Sequence, residues 1–153
     1  MNAVQQLDLI DQTLAGPYGA LPLTDYLRRN GRRWTGSALP PGIKKGPQRQ
    51  CFRNAWQLSL SHGFPYCEGY GWDVELRALP FSHAWNLCPS SGRVIDSTWA
   101  IGKGAVYLGI ELSPKQLMKI IDLTECFGVL QDGRAKNLEL VEQVLASQPI
   151  PAA

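Results

Sequence analysis

Residues 51–72 read CFRNAWQLSLSHGFPYCEGYGW, and a change of period within them decides the fold. Phe52, Ala55, Trp56 and Leu60 recur at helical spacing, and Gly63 is the residue type that ends a helix. From Pro65 to Trp72 aromatic and small residues alternate as in a strand. Working outward, residues 83–88 and 93–98 form two more strands around a turn at Pro89 to Gly92, and Ala105–Ile110 forms another. Ser113, Pro114 and Gln116 mark a helix start, with an N-cap, a proline at the first position and the glutamine of a capping box. Leu117, Ile120 and Ile121 face the core from that helix. A last helix covers about 137–146, followed by a frayed tail, Gln148 to Ala153. Toward the N-terminus, Val4, Leu7, Ile10 and Leu14 lie at helical spacing over 3–14, ended by Gly16-Pro17. Thr24 caps a short helix through Arg29. Gly31 to Gln50 lacks any period and reads as a long loop, an uncommon feature that is often functional. The order is α+β: helices, then a helix leading into an antiparallel meander, then helices.

The chain has 153 residues, 44% hydrophobic and 18% charged, the balance of one globular domain spanning 1–153. Eight of its fifteen Lys and Arg residues fall between Arg28 and Arg53, where there is no Asp or Glu. Such a run favours acidic partners, phosphates or an anionic substrate face, or else forms a solvated basic loop. Nucleic-acid binding through it is a lesser expectation, and it predicts affinity that falls steeply with salt. Cys51, Cys67, Cys88 and Cys126 show no CxxC spacing, and two histidines make no ordinary zinc pattern, so neither metal nor cofactor is expected. No basic start leads into an apolar run, and no apolar stretch approaches the roughly 20 residues of a membrane span. A reduced, cytoplasmic protein is the expectation, and export without a signal peptide would leave the same sequence.

Cys51 sits where the loop becomes a helix. The first N–H groups of a helix lack internal partners and the dipole places partial positive charge there, which favours a thiolate. His83 and Asp96 come from adjacent strands. Their numbers sum to an odd value, so any two- or four-residue turn around Pro89 to Gly92 puts them on one sheet face. They stand directly opposite if the loop is Pro89-Ser90 and diagonal one step away. An Asp beside a His fixes its tautomer and stabilises the imidazolium. His62 is the competing base, but eleven residues along the same helix carry it roughly 16 Å from Cys51, far beyond the reach of proton transfer. It reads as a helix-end histidine on the C-terminal dipole. Cys67 and Cys88 read as packing residues. Trp72, Trp85 and Trp99 either wall a cleft or fill the core, and Asn54 either bonds within the cleft or faces solvent.

These stretches together resemble the transglutaminase-like core of the papain-like cysteine enzymes. They are Cys51-Phe-Arg-Asn-Ala-Trp, Gly63-Phe-Pro-Tyr-Cys-Glu-Gly-Tyr, His83-Ala-Trp-Asn and Val94-Ile-Asp-Ser-Thr-Trp. The resemblance covers about residues 50–110, and Ser97 stands where the family commonly has proline. It implies a nucleophile-bearing helix packed on a small antiparallel sheet, with Cys51, His83 and Asp96 as a triad in that chain order. It further implies thiolate attack on a carbonyl, giving a thioester that water or an amine resolves. The oxyanion would be held by the Cys51 N–H and a second donor, for which Gln48 and Gln50 are the candidates. The expected function is a cysteine-dependent amide hydrolase, a thiol protease or glutamine deamidase, acting on a protein or peptide that is acidic if the basic run meets it. Two alternatives are acyl transfer to an amine, as by a transglutaminase or an arylamine-acetyltransferase-like enzyme, and a non-catalytic domain that binds a partner through residues 28–53.

Overall fold

The computed structural model describes residues 2–15, 19–73, 80–99, 104–130 and 137–147, so the expected tail at 148–153 and the Gly16-Pro17 break lie outside the described residues. The chain is α+β. Helices α1 (Ala3–Ile10), α2 (Pro22–Asn30), α3 (Cys51–His62), α4 (Pro114–Thr124) and α5 (Leu138–Ser147) accompany strands β1 (Arg32–Thr35), β2 (Tyr66–Asp73), β3 (Phe81–Leu87), β4 (Val94–Ile95) and β5 (Ala105–Leu112). The α4 capping box forms as its sequence requires, with Ser113 Oγ accepting from the Gln116 N–H. Gly63 ends α3 at φ 71°, in the left-handed region. Within the N-terminal helical pattern, the α-helix stops at Ile10 and a π turn follows over Asp11–Ala15. Leu7 and Ile10 are buried there, while Val4 and Leu14 are exposed.

Four expectations need correction, the first being the strand over 93–98: β4 is Val94–Ile95 alone, and Asp96 follows it at the start of a turn. Thr24 does not cap α2: Leu21 is the N-cap, Pro22 opens the helix, and the buried Thr24 hydroxyl donates to Leu21 O and to Asp11. The stretch 31–50 is not all loop, because Arg32–Thr35 is an edge strand paired with β5. Nor is the sheet a simple meander. Its order is β1-β5-β2-β3-β4, every pair antiparallel, so β5 crosses back past the β2–β3–β4 meander and lies between β1 and β2.

Alternation gives the sheet two apolar faces. Tyr66, Tyr70, Ala84, Leu108, Ile110 and Leu112 join Ala55 of α3 and the buried residues of the other helices. On the opposite face Trp34, Cys67, Trp85, Leu87, Val94, Ala105 and Tyr107 form a second cluster. Trp34 and Val94 belong to strands at opposite edges, so the sheet curls until its edges share one core. Glycine makes the curl possible. Gly69 and Gly109 face each other on β2 and β5, and a Cβ on either would lie 2.1 Å or 2.3 Å from a backbone oxygen of the neighbouring strand. The Trp85 ring covers Gly109, and burying a side chain of this kind contributes about 3 kcal/mol. Among the described residues no helix is long and apolar enough to cross a membrane.

Candidate active site

The turn after β3 fixes the central pair. Cys88 N–H donates to Arg93 O, and β3 and β4 pair Asn86 with Ile95 and Leu87 with Val94. Four residues therefore separate Cys88 from Arg93, and in this register His83 and Asp96 are diagonal neighbours rather than directly opposed. Their side chains meet, with His83 Nε2 2.8 Å from Asp96 Oδ2. Both residues are buried.

Burial penalises charge on either partner, yet the surroundings favour the ion pair. On His83, desolvation pushes the pKa down, but the bond from Asp96, the interaction with Cys51 and the charges of both leave it raised above 6.5. On Asp96, burial pushes up, but the His83 bond and charge and the bonds from Trp99 N–H and Tyr107 leave the carboxyl below its usual value. Asp96 is held on every side. Oδ1 accepts the N–H groups of Thr98 and Trp99 at 3.0 Å each, and Oδ2 accepts the Tyr107 hydroxyl at 2.8 Å. Burial and the adjacent carboxylate push the Tyr107 hydroxyl far above its usual pKa, so it remains a donor. A carboxylate only accepts, so Nε2 carries the proton and Nδ1 is the ring nitrogen left for a thiol.

Cys51 lines the same cavity as His83, and its side chain is near enough to help raise the His83 pKa. Cys51 is the first residue of α3, and Asn86 at the core of β3 docks that helix by donating to Ala55 O and Ser59 Oγ. Trp99 stacks on His83 with ring centroids 3.7 Å apart at 15°. Gly71 lies beneath the stack, and a Cβ there would sit 3.0 Å from the Trp99 ring and 3.3 Å from His83.

Cys51, Phe52, Trp72, Phe81, His83 and Trp99 wall a cavity of about 700 Å³, which Lys45, Gln48, Arg49, Asp73, Ser82 and Thr98 also line. That volume suits a small ligand or a few residues of peptide. Of the two oxyanion candidates, Gln48 lines this cavity. Gln50 is the exposed N-cap of α3, makes no side-chain cap bond, and is not among the lining residues. Trp72 and Trp99 reach the cavity, whereas Trp85 is core. Asn54 faces neither solvent nor cavity: it is buried and donates to Pro47 O at 2.9 Å and Thr98 Oγ1 at 2.8 Å. It thereby ties the loop before Cys51 to the turn after Asp96, and Gly46 N–H to Ser97 O at 2.7 Å makes a second tie.

His62 ends α3, is exposed, and stacks on Phe64. Cys67 is fully buried, which pushes its thiol pKa up. Cys88 departs from its expected packing role. It follows β3, is only half-buried, and hydrogen bonds from Ser90 and Ser91 lower its pKa to about 6. Sequence reasoning missed Tyr107 and Gly71, whereas Lys45 and Arg49 belong to the acid-free basic run that it singled out. Among the described residues no cluster of His, Cys, Asp and Glu could hold a metal ion. No protein family, curated protein or solved structure matches this chain.

Proposed function

We propose that this protein is a cysteine-dependent amide hydrolase of the transglutaminase-like kind, acting on a peptide bond or a glutamine side chain. The observation that carries the reading is the convergence of the Cys51 and Asp96 side chains on the buried His83 ring beside one cavity. The Cys51 sulfur attacks the carbonyl carbon and forms a C–S bond. As the C–N bond breaks, the His83 imidazolium gives its proton to the departing nitrogen, which leaves as ammonia or an amine. Water then adds to the thioester with His83 taking its proton, the C–S bond breaks, and the carboxylic acid departs. Asp96 keeps the ring oriented and stabilises its charged form throughout. Gln48 and the first N–H groups of α3 are the donors for the oxyanion.

Incubation with glutamine-containing peptides, followed for ammonia and for new termini, tests the reading. Product is expected from the native chain and not from Cys51→Ala; undiminished turnover by that variant would overturn it. Adding a primary amine separates transfer from hydrolysis, since transfer leaves the amine on the acyl group. Site-resolved labelling with an electrophile tests the non-catalytic alternative. Hydrogen bonds from Ser90 and Ser91 lower the Cys88 pKa to about 6, so only labelling assigned to Cys51 itself counts.

A further inference from the structure

We propose that the substrate of this site is an acidic peptide, with Asp or Glu side chains flanking the reacting amide held by Lys45 and Arg49. The inference rests on the reaction proposed above. Both cations line the same cavity as Cys51 and His83. Neither has an ion-pair partner among the described residues, where the recorded pairs use Arg28, Arg32 and His83. They belong to a run from Arg28 to Arg53 without a single carboxylate, so the loop supplies no neutralising charge of its own.

The loop is also held in place, which a solvated basic tract is not. Gly46 N–H bonds Ser97 O on one side, and Asn54 grips Pro47 O on the other. A Cβ at Gly46 would lie 2.6 Å from the Asn54 side chain, so the close approach is specific to glycine. Arg49 itself has φ 64°, a left-handed conformation that a non-glycine residue adopts at a cost, two residues before the nucleophile. The backbone that carries Lys45 and Arg49 is thus held beside the cavity, which both side chains line. Two cations on one loop attract a carboxylate to that part of the cavity. The aromatic rings of Phe52, Trp72, Phe81 and Trp99 then pack the aliphatic part of the peptide.

The test uses the full chain and three matched peptides, each with one central glutamine flanked by Glu, by Gln or by Lys. Calorimetric binding to Cys51→Ala reads recognition without turnover, and ammonia release by the native chain reads the reaction. The Glu-flanked peptide is expected to bind about tenfold more tightly than the Gln-flanked one, the order of two partly exposed charge pairs. The preference should shrink with added salt. Lys45→Glu with Arg49→Glu should move the preference to the Lys-flanked peptide. Lys115→Glu with Lys119→Glu, the same charge change on exposed α4 positions, should not. Equal binding of the three peptides, or binding of none, overturns the proposal, as does tight binding of acetyl-CoA that displaces the acidic peptide. Turnover without acidic preference sinks this inference and leaves the reaction standing, whereas acidic preference in binding without Cys51-dependent turnover does the reverse.

Discussion

His83 is buried, yet its neighbours favour the charged form of the ring. Removing the Asp96 charge leaves desolvation unopposed, so Asp96→Asn should lower the His83 pKa. Proton NMR can read this with only one other histidine, His62, in the chain. The native midpoint is expected above 6.5 and the variant's well below the native one, with turnover down by about 10³- to 10⁴-fold. Stability follows the same signs. Stabilisation from protonated His83 is complete below its unfolded value near 6.5 and disappears as pH rises through the higher folded value. Asp96 contributes above its unfolded value near 3.8, and that contribution is lost as pH falls through the lower folded one. Urea midpoints should therefore fall as pH rises past 6.5, and Asp96→Asn should flatten or reverse that slope. Tyr107→Phe removes one donor from Oδ2 but leaves His83 there, so about 1–2 kcal/mol of stability should be lost in urea melts. The odd sum of 83 and 96 put this pair on one face before any coordinates. Tyr107 was invisible because its approach depends on β5, whose position local periodicity does not encode.

At the level of elements, the placing of Cys51 beside the His83–Asp96 pair depends on how α3 meets the turn that follows β4. Asn54 carries that junction, so Asn54→Ala should slow turnover sharply while the far-UV CD spectrum stays native. The stability loss should be about 1–3 kcal/mol, the cost of leaving buried partners unpaired. Gly46→Ala attacks the same junction from the loop side and should have the same phenotype. Gly109→Ala strikes elsewhere: its Cβ would meet the Glu68 backbone and the Trp85 ring, so thermal melts should show severe destabilisation. The helices were legible because caps and periodicity are local: Ser113, Gln116 and Gly63 sit within a turn of what they stop or start. The β1 strand was not. Three of its four residues are exposed, and it is a strand only because β5, far along the chain, pairs with it. The strand order failed for the same reason, since alternation reports that a strand has two faces and says nothing of its neighbours.

Across the whole molecule, Glu68 is the tie between the central strand and the C-terminal region. It is buried, accepts the Tyr66 hydroxyl, and receives the N–H groups of Val129 at 2.7 Å and Leu130. Glu68→Leu should cost about 3 kcal/mol in urea unfolding and should open the chain around Val129 and Leu130 to limited proteolysis. An unchanged cleavage pattern would show that the tie carries no weight. The place of β5 in the sheet has a consequence for the newly made chain. Cys51 leaves the ribosome well before Tyr107, and until β5 slots between β1 and β2 nothing holds Asp96 from that side or gives β1 a partner. A half-synthesised chain therefore carries His83 and Asp96 without the Tyr107 hydroxyl, and their surroundings are completed only when a late-arriving strand closes the sheet from within.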